Sequence, residues 1–122
     1  MNKENFIIGI KNMRDSCVES RIRSLQKPAG RKPRKSLVES SLFYHSLNDI
    51  NKENLRKIMA DAIDQALFSF LCILDHVGFI EDTEEKSEFE LYAIKNGERI
   101  LINDPQQEEL HNLYNDLTLD KD

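Results

Sequence analysis

The stretch from Asn51 to Val77 constrains this chain more than any other. Its ten residues from Gln65 to Leu74 carry no charge. Leu55, Ile58, Met59, Ala62, Ile63, Ala66, Leu67, Phe70, Leu71, Leu74 and Val77 recur at steps of three and four, which gathers them on one broad face of an α-helix. Asn51 can accept a bond from a first-turn amide, Ile50 and Leu55 stand where a hydrophobic staple would, and Gly78 offers a stop. A helix over 51–77 would span roughly 40 Å and serve as a central strut. Phe68 and Cys72 project from its otherwise polar side, so that side too needs cover, expected from the rest of the chain.

The flanking elements follow from pattern and punctuation. From about Lys3 to Leu25 a first helix is expected, with Phe6, Ile10, Met13 and Cys17 as one stripe and Ile7, Val18, Ile22 and Leu25 broadening it. Pro28, Gly30 and Pro33 break regular structure and place a basic loop at 26–36. Ser36 and Glu39 fit a capping box for a short helix to about Leu47, with Leu42 and Phe43 inward and Tyr44 or His45 at the surface. At Glu88 the period changes to two, and Asn96-Gly97 predicts a type I′ turn within a hairpin at 88–103. In that register Lys95 faces Glu98, Ala93 faces Ile100 and Leu91 faces Ile102, with Phe89, Leu91, Ile100 and Ile102 on the helix-facing side. Asp104-Pro105 would open a last helix with Leu110, Leu113, Tyr114 and Leu117 as its stripe. A frayed tail from Leu119 should follow. The expected fold is therefore α+β and mainly helical, with four helices around the long one and a single hairpin, forming one domain over 1–122.

Charge is distributed unevenly. Seven bases and no acid lie between Arg21 and Lys35, against a net charge of −5 for the whole chain, which leaves −12 for the remainder. Arg31, Lys32, Arg34 and Lys35 are the candidates for contact with an anion or an acidic partner, since arginine and lysine bind oxyanions strongly. The longest uncharged run has about half the length needed to cross a bilayer, and Phe6 to Ile8 is too short for a signal-peptide core. A cytoplasmic location is the expectation. Cys17 and Cys72 lack partners at zinc-like spacing and should be unpaired, mostly buried thiols.

No spacing supports catalysis. Asp61 and Asp64 lie one helical turn apart, close enough to share a proton or metal ion, but the chain contains no Glu-x-x-His pair of the kind that completes bundle metal sites. Asp75 and His76 are adjacent and so point about a hundred degrees apart on a helix. Ser69 has only distant His76 as a base. Glu108-Glu109-Leu110-His111 looks like a ligand cluster only superficially, and His45 stands beside two aromatic residues without a defined role. No cofactor and no metal are expected.

Leu25 to Arg31, Phe43-Tyr44-His45-Ser46-Leu47, Ala66 to Asp75, Glu88 to Tyr92, Leu101 to Pro105 and Leu110 to Tyr114 together resemble a family of small bacterial proteins of uncharacterised function. The resemblance covers most of the chain and implies a cytoplasmic bacterial protein. It carries no activity with it.

The leading functional expectation is a non-enzymatic protein-interaction protein, of which a toxin-neutralising immunity-type protein is one form. Its binding surfaces would be the outer face of the hairpin, with Tyr92, Ile94 and Leu101, and the basic loop; its partner would be another protein or a second copy of the chain. Binding of nucleic acid or phosphate through 21–35 is the alternative, and an enzyme or metal protein using the acids of the central helix is the second.

Overall fold

The computed structural model describes residues 1–119. In chain order it holds α1 (Lys3–Gln26), α2 (Lys35–Ser46), α3 (Asp49–Leu74), β1 (Tyr92–Lys95), β2 (Glu98–Leu101) and α4 (Leu110–Thr118). This is the mainly helical α+β architecture, with one antiparallel hairpin, that the patterning predicts. No helix among the described residues is long and apolar enough to cross a membrane. The expected frayed tail falls mostly on residues after 119, outside the described part.

The chain divides into two compact units, one over Met13–Ile63 and one built from Met1–Asn12 with the chain from Asp64 onward. Helices α1 and α3 contribute residues to both. Each unit has its own apolar cluster.

In the 13–63 unit the cluster is Val18, Ile22, Leu25 and Tyr44, with Leu55, Met59, Ala60 and Ile63 against it. Helix α2 turns a different face inward from the one its sequence suggests. Tyr44 is buried, whereas Leu42 and Phe43 are 68% and 57% exposed. The reason lies in the bonds at the end of α1. The Ser41 hydroxyl donates to the Leu25 carbonyl at 2.6 Å, and His45 Nε2 meets the Gln26 carbonyl at 2.8 Å. Those contacts satisfy terminal carbonyls of α1 and fix the rotation of α2, so Ser41 and Tyr44 point in and Leu42 and Phe43 point out. Lys52 lies over the Tyr44 ring, and Arg56 pairs with Glu19.

In the other unit Ile7, Leu71, Leu74, Ile102, Leu110 and Tyr114 form the cluster, with Phe6, Ile10, Leu67, Leu91, Ala93 and Leu113 packed on it. The Tyr114 hydroxyl is not stranded in this apolar setting; it donates to Asp64 at 2.5 Å. Phe70 and Ile58, expected on the buried face of the long helix, are 53% and 64% exposed. Their side of α3 is uncovered. On α1 the buried line is Ile7, Val18, Ile22 and Leu25, while Met13 and Cys17 of the other expected stripe are exposed.

Helix ends fall at other residues than the sequence suggests. Asn48, not Asn51, caps α3 by accepting the Asn51 amide at 2.8 Å, which leaves Ile50 exposed and without a staple role. Helix α2 starts before Ser36, so the expected capping box is absent and Glu39 faces Lys35 instead. Past the end of α3 at Leu74 the chain turns at His76, a non-glycine residue at φ 62°. Gly78 matters for a different reason: a Cβ there would come within 3.3 Å of the Cys72 Cβ.

The hairpin has the expected register, Ala93 opposite Ile100 and Lys95 opposite Glu98, and Asn96 and Gly97 both take the positive φ that a type I′ turn requires. Its ladder is shorter than 88–103. Ile100 and Phe89 are 42% and 39% exposed, so Leu91, Ala93 and Ile102 carry the packing. Beyond the ladder, Asn103 takes over. Its buried side chain donates to the carbonyls of Leu74 and Phe89 at 2.7 and 2.6 Å and accepts the Leu91 amide at 2.8 Å. One amide group thus fastens the end of α3 to both hairpin arms. Replacing Asn103 with Ala removes three bonds and strands the buried Leu74 carbonyl, an effect of about 3 kcal/mol. Denaturant unfolding of N103A should show a loss of that order, and a loss no larger than that of an exposed surface substitution would refute the role.

Candidate functional site

The most developed polar arrangement forms where α3 ends and α4 begins. Because α3 stops at Leu74, Asp75 stands at its end with its side chain only 4% accessible. Its two oxygens accept the backbone amides of Leu110 and His111 at 3.0 and 2.8 Å. Those are first-turn amides of α4, which have no partner within their own helix. Asp75 is therefore an N-cap supplied from another helix, and its negative charge sits favourably at the positive end of the α4 dipole. The residue at the local N-cap position, Glu109, makes no side-chain capping bond.

Asp75 also meets the ring of His111, Nδ1 to Oδ2 at 2.6 Å. A carboxylate can only accept, so Nδ1 carries the hydrogen, and in the neutral ring Nε2 is left as an acceptor. Phe68 presents an edge-to-face contact to the imidazole, with ring centroids 5.5 Å apart. The Glu109 carboxylate lies 3.8 Å from the same Nδ1. Asp75, Glu109 and His111 are thus a convergent group whose ligand atoms all lie within 4.8 Å of one another. Asp75 and Glu109 further line a polar depression of about 360 Å³ with Asn103, Asp104, Gln107 and Asn112.

Why α4 begins at Leu110 rather than at Pro105 is answered by Lys3. This buried lysine, at the start of α1, donates to the Asp104 and Glu108 carbonyls at 3.0 and 2.7 Å. Asp104 closes a turn on itself by accepting the Gln106 amide. The expected cap at Asp104 is thus replaced by a lysine-held turn followed by a cap from Asp75.

Cys72, one helical turn before Asp75, is half-buried. Burial pushes its thiol above the ordinary range, and the negative charges of Asp75 and Glu109 push it further. A nucleophilic cysteine needs the opposite environment, one that favours thiolate.

The residues singled out by sequence separate into different places. Asp61 is exposed, and Asp64 is engaged by Tyr114, so the two acids do not build a shared site. His76 meets the backbone of Phe89 through Nε2, and His45 is bound to Gln26. On the outer hairpin face Tyr92 and Leu101 are paired across the strands and half-buried, while Ile94 is 68% exposed. The Tyr92 ring is covered by the Arg99 guanidinium at 4.1 Å, and its hydroxyl donates to Glu90 at 2.6 Å. That bond holds the phenol above its usual range. Arg31, Lys32, Arg34 and Lys35 are all exposed, with Lys35 lying 3.9 Å from Glu39.

Two features escape a linear reading. The Asp75–His111 pair joins residues 36 apart, and its only trace in the sequence is that each lies off the apolar stripe of its helix. The second is an apolar groove of about 390 Å³ in the 13–63 unit, lined by Arg21, Leu25, Ser40, Phe43, Leu55, Met59, Ala62 and Ile63. No protein-family model, curated protein or solved structure matches this chain.

The cysteine environments make a direct prediction. Cys17 is exposed, whereas Cys72 is held protonated, so iodoacetamide at pH 8 should label Cys17 first in the native chain, with the two sites resolved by peptide mass. Equal labelling rates would contradict the electrostatic assignment at Cys72.

Proposed function

We propose that this chain is a non-enzymatic protein-binding protein, and that its binding surface is the groove of the 13–63 unit. The carrying observation is the groove itself: apolar walls from Leu25, Leu55, Met59 and Ile63, with Phe43 more than half exposed beside it and Arg21 on its lining. Large apolar side chains left at a surface in this way mark interaction sites. Phe43 and its neighbour Leu42 are the residues that would supply anchoring area.

The charge of the partner follows from the surroundings. Arg21 opens the run of seven bases that ends at Lys35. An acidic segment with an apolar face would meet complementary potential there and approach faster for it. Toxin-neutralising proteins of immunity type act by covering a partner's surface, and this is the form of binding proposed. The hairpin is the weaker candidate, because Arg99 and Glu90 already occupy Tyr92.

The test compares partners recovered by the tagged wild-type chain, F43D, and I94D on the hairpin. A stoichiometric partner retained by I94D and lost by F43D, with affinity reduced tenfold or more and weakened by added salt, supports the groove. Loss with I94D alone would move the site to the hairpin. Recovery of nucleic acid instead of protein would overturn the reading.

A further inference from the structure

We infer that Asp75, Glu109 and His111 form a binding site for one divalent transition-metal ion, zinc being the best match to its donors. Asp75 caps α4, and Glu109, at the N-cap position of that helix, lies beside the same imidazole. Its side chain makes no capping bond and is 45% accessible, yet its carboxylate lies 3.8 Å from the nitrogen already bonded to Asp75. Two carboxylates are thereby held against one imidazole. Both acids also act on Cys72 one turn away, whose thiol is raised first by burial and further by their charges. A cation at their meeting point relieves that repulsion.

The donor set fits the ion chemically. One imidazole nitrogen with two carboxylate oxygens favours zinc and its neighbours over calcium or magnesium, which prefer oxygen alone. Zinc bonds of about 2.0–2.2 Å to nitrogen and oxygen place donor atoms of a tetrahedral site roughly 3.4 Å apart. The 3.8 Å pair needs to close by a few tenths of an ångström, and the 2.6 Å pair needs to open. The ion takes the position of the hydrogen that Nδ1 now donates, and the neutral ring then carries its proton on Nε2. The Leu110 and His111 amides keep hold of Asp75 as outer-shell donors, the arrangement that fixes metal ligands in place. Three protein ligands leave one coordination position, and the depression lined by Asp75 and Glu109 has room for the water that would fill it. Glu109 and His111 are one residue apart at the start of α4, and Asp75 comes from another helix, which is why no linear metal motif announces the site.

The metal-free full chain should be titrated with zinc chloride by calorimetry, and ring nitrogen shifts of His111 followed by NMR. One saturable equivalent is expected, with a His111 Nδ1 shift on binding, affinity at least tenfold lower in E109Q and no specific binding in H111A. Because substitution of Asp75 also removes the cap of α4, E109Q is the decisive variant: it changes a side chain with no capping bond. Absence of saturable binding by the wild-type chain, or equal affinity in wild type and E109Q, would overturn the site, as would zinc-induced shifts confined to His45 or His76.

Discussion

The carboxylate of Asp75 is the interaction on which the unit built around α4 most depends. It sits at the end of a long apolar helix, where an ionised group would ordinarily lose much of its hydration. Three hydrogens replace that water: two backbone amides of α4 and the Nδ1 hydrogen of His111. The same bonds set where α4 begins, how it is turned and which side of His111 faces the acid. Leu110 and Tyr114, fully buried, follow from that placement. Lys3 and Asn103 complete the arrangement by binding the backbone carbonyls of Asp104, Glu108, Leu74 and Phe89, of which the Leu74 bond is fully buried.

Much of the architecture was legible in the sequence. Alternating residues around Asn96-Gly97 specify the hairpin and its register, because side-chain period and turn conformation agree there. The long helix and the apolar line of α4 are equally plain, since their buried residues recur at helical spacing. What failed were the helix ends and the rotation of α2. Ser36 and Asn51 are good capping residues, but the helices beside them start earlier, and Asp104 lost its role to a lysine from the other end of the chain. Leu42 and Phe43 outrank Ser41 in apolarity. Two hydrogen bonds to the end of α1 decided the rotation of α2 against them.

The same distinction applies to the sites. Asp61 and Asp64 attract notice because they are near in sequence, yet Tyr114 takes one of them and solvent the other. Asp75 and His111 are far apart in sequence and meet in space. A scan for spaced ligand motifs cannot see such a pair, because its geometry is produced by a helix end and a helix start. The groove near Phe43 is hidden for a related reason: it exists only because α2 turns its larger apolar residues outward. Surface chemistry of both kinds therefore follows from where helix termini find their partners.

Amide hydrogen exchange at Leu110 and His111 tests the organising role of Asp75 most directly. In D75A that keeps its helical circular dichroism, both amides should exchange about tenfold faster or more, matching the roughly 1.4 kcal/mol that a good cap contributes. Unchanged protection at both positions would contradict the account, since it would mean that α4 is started by something other than Asp75.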